Sequence, residues 1–312
     1  MFNPQNFISQ KMEEIKKAVG NEKALVALSG GVDSSTTAVL GFKALGEKLE
    51  AVFIDDGLMR EGEGERISAT FASLGLKVQT YSMAEDFFKA LKGLTDPEEK
   101  RKAFREAFYQ SLAKISRGKG AKWLLQGTIA ADVVETSRGV KTQHNVLEQV
   151  GINPAEKYGF KVVEPLKELY KPQVREVAKA LGLPAEITER RPFPGPGLCV
   201  RVLGEVTPER VETVRKATRI VEEETAGLLC FQAFAVLMED KATGLSEDKK
   251  RIYGEILVIR SVDSTDAMTA QPTQLPWPVL EKITRRITAS LPSVTRVLYD
   301  LTGKPPATIE FE

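Results

Sequence analysis

In the first half of the chain, short apolar runs alternate with segments whose apolar positions recur every three to four residues. Phe7, Ile8, Met12, Ile15 and Ala18 keep helical spacing among charged neighbours, which predicts an amphipathic helix within Met1 to Gly20. Beyond it, apolar runs predict strands at Ala24 to Leu28, Leu49 to Ile54, Lys77 to Tyr81, Trp123 to Gln126 and Lys161 to Glu164. Between these runs, helical spacing predicts helices over 34–45, 63–74, 84–92, Pro97 to Arg117 and Lys171 to Leu181. Strands alternating with helices predict a parallel sheet covered on both faces. From Gly139 to Phe160 the period fails, as it does in a lid or mobile loop. A rigid Pro/Gly stretch, Arg190 to Gly197, then marks a domain boundary, dividing the chain into 1–190 and 191–312. The second part mixes its elements. It predicts strands at Val200 to Leu203, Ala233 to Met238, Glu255 to Ser261, Arg296 to Asp300 and Thr308 to Phe311. Its helices are predicted over 208–224, opened by the Thr207 N-cap and Pro208, and over 277–290. This reads as a smaller α+β domain, with few strands for a self-sufficient sheet, so pairing with a second copy is expected.

Composition narrows the function classes. The 312 residues hold 44 Lys+Arg against 43 Asp+Glu, a net charge of +1, which gives no footprint for nucleic acid. Cys199 and Cys230 stand far apart, so there is neither a disulfide framework nor a C-x-x-C pair, and a reducing cytoplasm fits. The charged N-terminal segment is neither a signal peptide nor a membrane span.

The candidate chemistry begins at Ser29-Gly30-Gly31-Val32-Asp33-Ser34-Ser35, between a buried strand and a helix start. Such a junction gathers backbone N–H groups and the positive end of a helix dipole at one spot. Glycine lets the backbone approach a bulky anion, and the three serines add hydroxyl donors. A phosphate chain is the expected guest. The lysine of a G-x-x-x-x-G-K-[ST] P-loop is absent and Asp33 stands in the turn, which suits a divalent cation bridging acid and phosphates. The bland reading is a tight turn capping a helix. Ligands of parallel sheets bind beyond the carboxyl ends of the strands, where Asp55-Asp56-Gly57 and Gly127-Thr128 also fall.

The string SGGVDSS resembles the PP-loop of the ATP pyrophosphatases. Nearly end to end, the chain resembles the ATP-pyrophosphatase part of the GMP synthetase family. The resemblance is carried by Val52 to Arg60, Lys92 to Arg101, Gln126 to Glu135, Glu164 to Tyr170, Arg191 to Gly204, Ser261 to Ala270 and Gly303 to Glu312. It implies an α/β fold: a parallel-sheet, adenine nucleotide alpha hydrolase-like PP-loop domain followed by a smaller α+β dimerisation domain. It also implies adenylation of XMP by ATP and displacement by ammonia, giving GMP, AMP and pyrophosphate. With a single His and no Cys-His-Glu set, a separate glutamine amidotransferase subunit is implied as the ammonia source.

The residues then take implied roles. Ser29, Gly30, Gly31, Ser34 and Ser35 would cradle pyrophosphate, Asp33 and Asp132 would hold Mg²⁺, and Asp55 and Gly127 would border the adenosine. In a lid over about 128–160, Glu135, Lys141 and His144 match family positions. Lys304, Ile309 and Glu310 match the tail that reaches XMP. Arg190 suits the XMP phosphate or, alternatively, a boundary ion pair. The lid string departs from the family: Thr142 to Gln149 lacks its first His and its glycine pair, and Ala131 replaces a proline. A PP-loop ligase or thiolase acting on another base, and a non-catalytic nucleotide-binding paralogue, stay open as alternatives.

Overall fold

The computed structural model describes residues 2–137, 152–246, 248–265 and 267–312, with side chains throughout except at 134–137. Two compact units emerge. Residues 1–56, 62–87 and 104–190 form the first, and 57–61, 88–103 and 191–312 form the second. A single cut at 190/191 would leave 57–61 and 88–103 in the first.

In chain order the elements of the first half are α1 (Pro4–Val19), β1 (Lys23–Ala27), α2 (Val32–Leu45), β2 (Leu49–Asp55), α3 (Glu63–Ser73), β3 (Val78–Ser82), α4 (Ala84–Leu91), α5 (Pro97–Lys119), β4 (Ala121–Leu125), α6 (Ala130–Ser137), α7 (Pro154–Tyr158), β5 (Lys161–Val163), α8 (Lys171–Ala180) and α9 (Ala185–Thr188). The expected elements are present within a few residues of their expected ends. Helices α6, α7 and α9 are additions: α6 lies where only the start of a lid was expected, and α7 and α9 span one turn each, too short to show a period.

Five strands pair in the order β3-β2-β1-β4-β5, every pair parallel. The central strand is buried on both faces, with Ala24, Leu25 and Val26 at most 1% exposed, which explains its unbroken apolar run. The chain winds outward from β1 through β2 to β3, then returns to β1's other side at β4. The strand order therefore reverses between β1 and β4, and their carboxyl ends open the crevice that doubly wound sheets use for ligands.

The second unit holds α10 (Pro208–Glu224), β6 (Gln232–Leu245), β7 (Arg251–Asp263), β8 (Gln271–Pro272), α11 (Trp277–Ser290) and β9 (Val294–Tyr299). The Thr207 hydroxyl caps α10 by accepting from Arg210 N–H at 3.3 Å. β7 pairs antiparallel with β6 and β8 and parallel with β9. The β6–β7 hairpin outruns the apolar stretches that predicted it, since its outer half is polar and solvent-facing.

Two expected strands are absent. The first half of the run at Val200 to Leu203 lies in a 3-10 turn, Gly197–Arg201, and beyond it only Val202 bridges Leu237. Gly197 sets that turn at φ +63, and Leu198 N–H donates to the Leu58 carbonyl at 2.7 Å. A short buried run following Pro-Gly-Pro-Gly thus satisfies its backbone through a tight turn and single bonds to distant partners, Leu58 and Leu237, rather than through a ladder. Residues 308–311 form no strand either: buried Arg260 takes the carbonyls of Thr308 and Ile309. Among the described residues, no helix is long and apolar enough to cross a membrane.

Candidate active site

The loop 29–31 leaves β1 and turns at Gly30, whose φ of +75 is left-handed. A Cβ there would lie 2.2 Å from Glu63 Oε1 and 2.6 Å from a terminal nitrogen of Arg190, so only glycine fits. Gly31 is the N-cap of α2, and no side chain caps that helix. Its first N–H groups and the positive dipole end are thus presented without a competing side-chain oxygen. Ser29 and Ser34 bind each other across the loop, Oγ to Oγ at 3.0 Å, and Ser34 Oγ donates to the Gly31 carbonyl at 3.2 Å. Ser35 is fully buried, and its hydroxyl has no hydrogen-bond partner among the described residues.

Gly127 brings the β4 loop against this turn. A Cβ on it would stand 2.9 Å from Asp33 C and 3.0 Å from Ser34 N, so the two loops meet backbone to backbone. A hydrogen-bond chain holds that approach: Tyr109 hydroxyl to Gln126 at 3.3 Å, Gln126 to Thr128 at 3.1 Å, and Thr128 to Glu164 at 2.7 Å. Burial pushes the Tyr109 phenol well above its usual range, which keeps it a neutral donor. Asp55 closes β2, on the other side of β1.

Asp33 is the electrostatic centre. Its Oδ2 accepts from Lys171 Nζ at 2.5 Å, while buried Oδ1 has no partner among the described residues. Burial pushes the Asp33 carboxyl above its usual range, Lys171 pulls against that, and the Asp132 charge adds to the rise. Asp132 itself accepts from Ile129 N–H at 3.0 Å, in the first turn of α6. Arg175, one turn beyond Lys171 on α8, also draws Asp33 towards the charged form, and its buried Nε has no partner among the described residues. Two carboxylates whose charges reach each other suit Mg²⁺, which usually takes one or two protein carboxylates and fills its octahedron with phosphate oxygens and water. Among the described residues no third His, Cys, Asp or Glu joins them.

Sequence reasoning missed Lys171 and Arg175, although a signal was present. A lysine in the first turn of a helix opposes the dipole and calls for a nearby anion. The resembling motif ended one residue earlier, at Tyr170.

Arg190 gives its fork to Glu63, with contacts of 2.6 and 2.7 Å, and reaches the Gly30 carbonyl at 3.1 Å. Of the two expectations for Arg190, its geometry is that of an ion pair, and it buttresses the loop from behind. Glu135's side chain, Lys141 and His144, with most of the expected lid, lie outside the described residues.

The second unit carries the tail residues. Glu310 accepts from Nε and one terminal nitrogen of Arg201, each at 2.9 Å, and from the Gln232 amide at 2.7 Å. Lys304 Nζ donates to the Ala267 carbonyl at 2.8 Å. Ile309, expected at the substrate, instead packs its side chain with Phe234, Val236, Val258 and Val262 in an apolar cluster.

A family model described as NAD synthase matches residues 3–195, and one described as GMP synthase C terminal domain matches residues 219–311. A protein of Methanopyrus kandleri, named as the second of the lettered subunits of GMP synthase (glutamine-hydrolyzing), is 52% identical, with 100% of each chain covered. Proteins of the same name from Pyrococcus abyssi, 51% identical over 99% of this chain and 100% of theirs, and from Archaeoglobus fulgidus, 52% identical over 99% of each, agree with it. With similarity at this level along its whole length, the chain belongs to the family of these GMP synthase subunits.

Proposed function

We propose that the chain is the ATP-pyrophosphatase subunit of a GMP synthase: it aminates XMP to GMP with ATP, through adenyl-XMP, using ammonia from a separate glutaminase subunit. The observation that carries this reading is the anion cradle at 29–35, with an uncapped helix N-terminus facing a carboxylate that keeps one buried oxygen without a partner among the described residues.

In the first step the C2 oxygen of XMP attacks the α-phosphorus of ATP, and the α–β phosphoanhydride bond breaks. Negative charge grows on the departing pyrophosphate. The N–H groups of Gly31 to Ser34, the hydroxyls of Ser29, Ser34 and Ser35, and the cations Lys171 and Arg175 are fixed before reaction and stabilise that charge. In the second step ammonia attacks C2 and AMP leaves. Asp33 and Asp132 would hold Mg²⁺, whose charge, when bound, offsets that of the phosphate oxygens. Asp55 and Gly127 border the adenosine. Glu135, Lys141 and His144 would act from the lid, where closure excludes water from a hydrolysable intermediate.

In the second unit Lys304 and Glu310 face XMP, and Ile309 anchors them. Arg190 serves the loop through Glu63 rather than the nucleotide. Exposed Tyr253, Leu298 and Leu301 support a homodimer formed through this unit. Two free thiols support a reducing cytoplasm.

The test is direct. The purified chain, given ATP, Mg²⁺, XMP and ammonium, is expected to form AMP and GMP in equal amounts. AMP formation that does not depend on XMP would overturn the acceptor, and tight ATP binding without turnover would overturn the enzyme.

A further inference from the structure

Residues 302–312 have little backbone pairing of their own. Ala270 and Lys304 exchange main-chain bonds, and Ala307 N–H closes a turn on the Gly303 carbonyl. Beside Gln232 on Glu310 and the Ile309 side chain in the apolar cluster, three buried cations hold the segment. Arg260, fully buried, takes the carbonyls of Thr302, Thr308 and Ile309 and pairs with Asp300 at 2.8 Å. Arg201, 1% exposed, takes Glu310 and stacks on Phe234 at 3.9 Å. Lys100, whose side chain is wholly buried, donates to Glu312 at 2.5 Å and to the Val202 carbonyl at 2.8 Å.

The last of these has no place in the chemistry above. Burying an ammonium group is costly unless it is paired and hydrogen-bonded, and here its partners are a carboxylate and one carbonyl. Glu312 is itself mostly buried, and its desolvation works against ionisation while Lys100 favours it. Apolar residues of the same volume would seal this spot at no such cost, but they would fix neither position nor register. The Glu312 carboxylate, met by Lys100 and by the backbone of Gly204, fixes both. Lys304 and Glu310 lie between the Arg260 contacts at 302 and the Lys100 contact at 312, so the segment is clamped at both ends.

We propose that Lys100 and Glu312 are positioning residues for the acceptor nucleotide: their buried ion pair holds residues 302–312 so that Lys304 and Glu310 stand ready before XMP arrives. The proposal rests on the XMP reading above. Neither residue touches the nucleotide. The pair acts by removing an ordering cost from acceptor binding, so it sets XMP affinity and leaves ATP affinity alone.

Steady-state kinetics of the full chain with ATP, Mg²⁺, XMP and ammonium test it. Glu312→Ala is expected to raise the KM for XMP by ~10- to 100-fold and to leave the KM for ATP within about twofold. Glu312→Gln, which keeps an oxygen for Lys100, is expected to fall between that variant and wild type, and it carries the test if Glu312→Ala lowers the folded fraction. Hydrogen–deuterium exchange across 302–312 is expected to quicken in both variants without XMP and to slow again at saturating XMP. An unchanged XMP KM in Glu312→Ala, or equal rises for XMP and ATP, overturns the clamp. Failure of the wild type to use XMP overturns the acceptor reading instead.

Discussion

Asp33 shows how a single side chain can be poor for stability and suited to a site. It sits in the first turn of α2, where a negative charge is welcome, yet burial and Asp132 outweigh Lys171 and raise its pKa. A carboxyl whose folded pKa lies above its unfolded one holds its proton more tightly when folded. Its stabilising contribution is complete below the unfolded pKa and is lost as pH rises through the folded one. Asp33→Asn is therefore expected to abolish turnover while giving a melting temperature at pH 7 no lower than wild type, an advantage that shrinks as pH falls through the folded pKa and is gone below about pH 4. Thermal melts across pH, alongside AMP release, check both halves. A variant that turns over at the wild-type rate, or one that melts lower at pH 7, contradicts this account of Asp33.

At the scale of elements, the site depends on how closely the β4 loop meets the start of α2. Gly127 is the contact point, and the backbone of Asp33 and Ser34 cannot move aside as a flexible side chain could. Gly127→Ala is expected to push the turn away from the β4 end by several tenths of an ångström and to lower kcat by ~10- to 100-fold. Far-UV circular dichroism should stay unchanged, because both elements survive. Activity within twofold of wild type would mean that the two loops have slack. Gly30, in the loop after β1, is bounded differently, by the Arg190–Glu63 pair, so the turn into α2 lies against the β4 loop at Gly127 and against an ion pair at Gly30.

For the whole molecule, near-neutral charge gives no long-range attraction for polyanions, and the proposed dimer would rest on apolar surface. Tyr253 and Leu298 are 69% and 49% exposed on β7 and β9, and Leu301, 73% exposed, follows β9. Sedimentation of the wild type is expected to give a dimer, and Leu298→Glu with Leu301→Glu a monomer that keeps its circular dichroism spectrum. A monomeric wild type at micromolar concentration would remove the dimer from the proposal.

Local chemistry written in the chain was enough for much of this. Apolar runs and helical spacing specify β1 to β5 and their helices, because each such element buries a face whose period is set by its own backbone geometry. The string 29–35 specifies a glycine turn into a helix start, the place proposed for an anion, because glycine, serine and the helix dipole act within a few residues of one another. Tertiary structure alone decided what required distant residues to meet. Lys171 reaches Asp33 across 138 residues, and Arg190 reaches Glu63 across 127. The strands expected at 200–203 and 308–311 gave way to a buried turn and to arginine-held carbonyls. Ile309, read from its motif as a substrate contact, became core. In each case the sequence supplied a group that needed a partner, and only the folded chain could determine which group answered it, since burial and charge pairing depend on proximity in space.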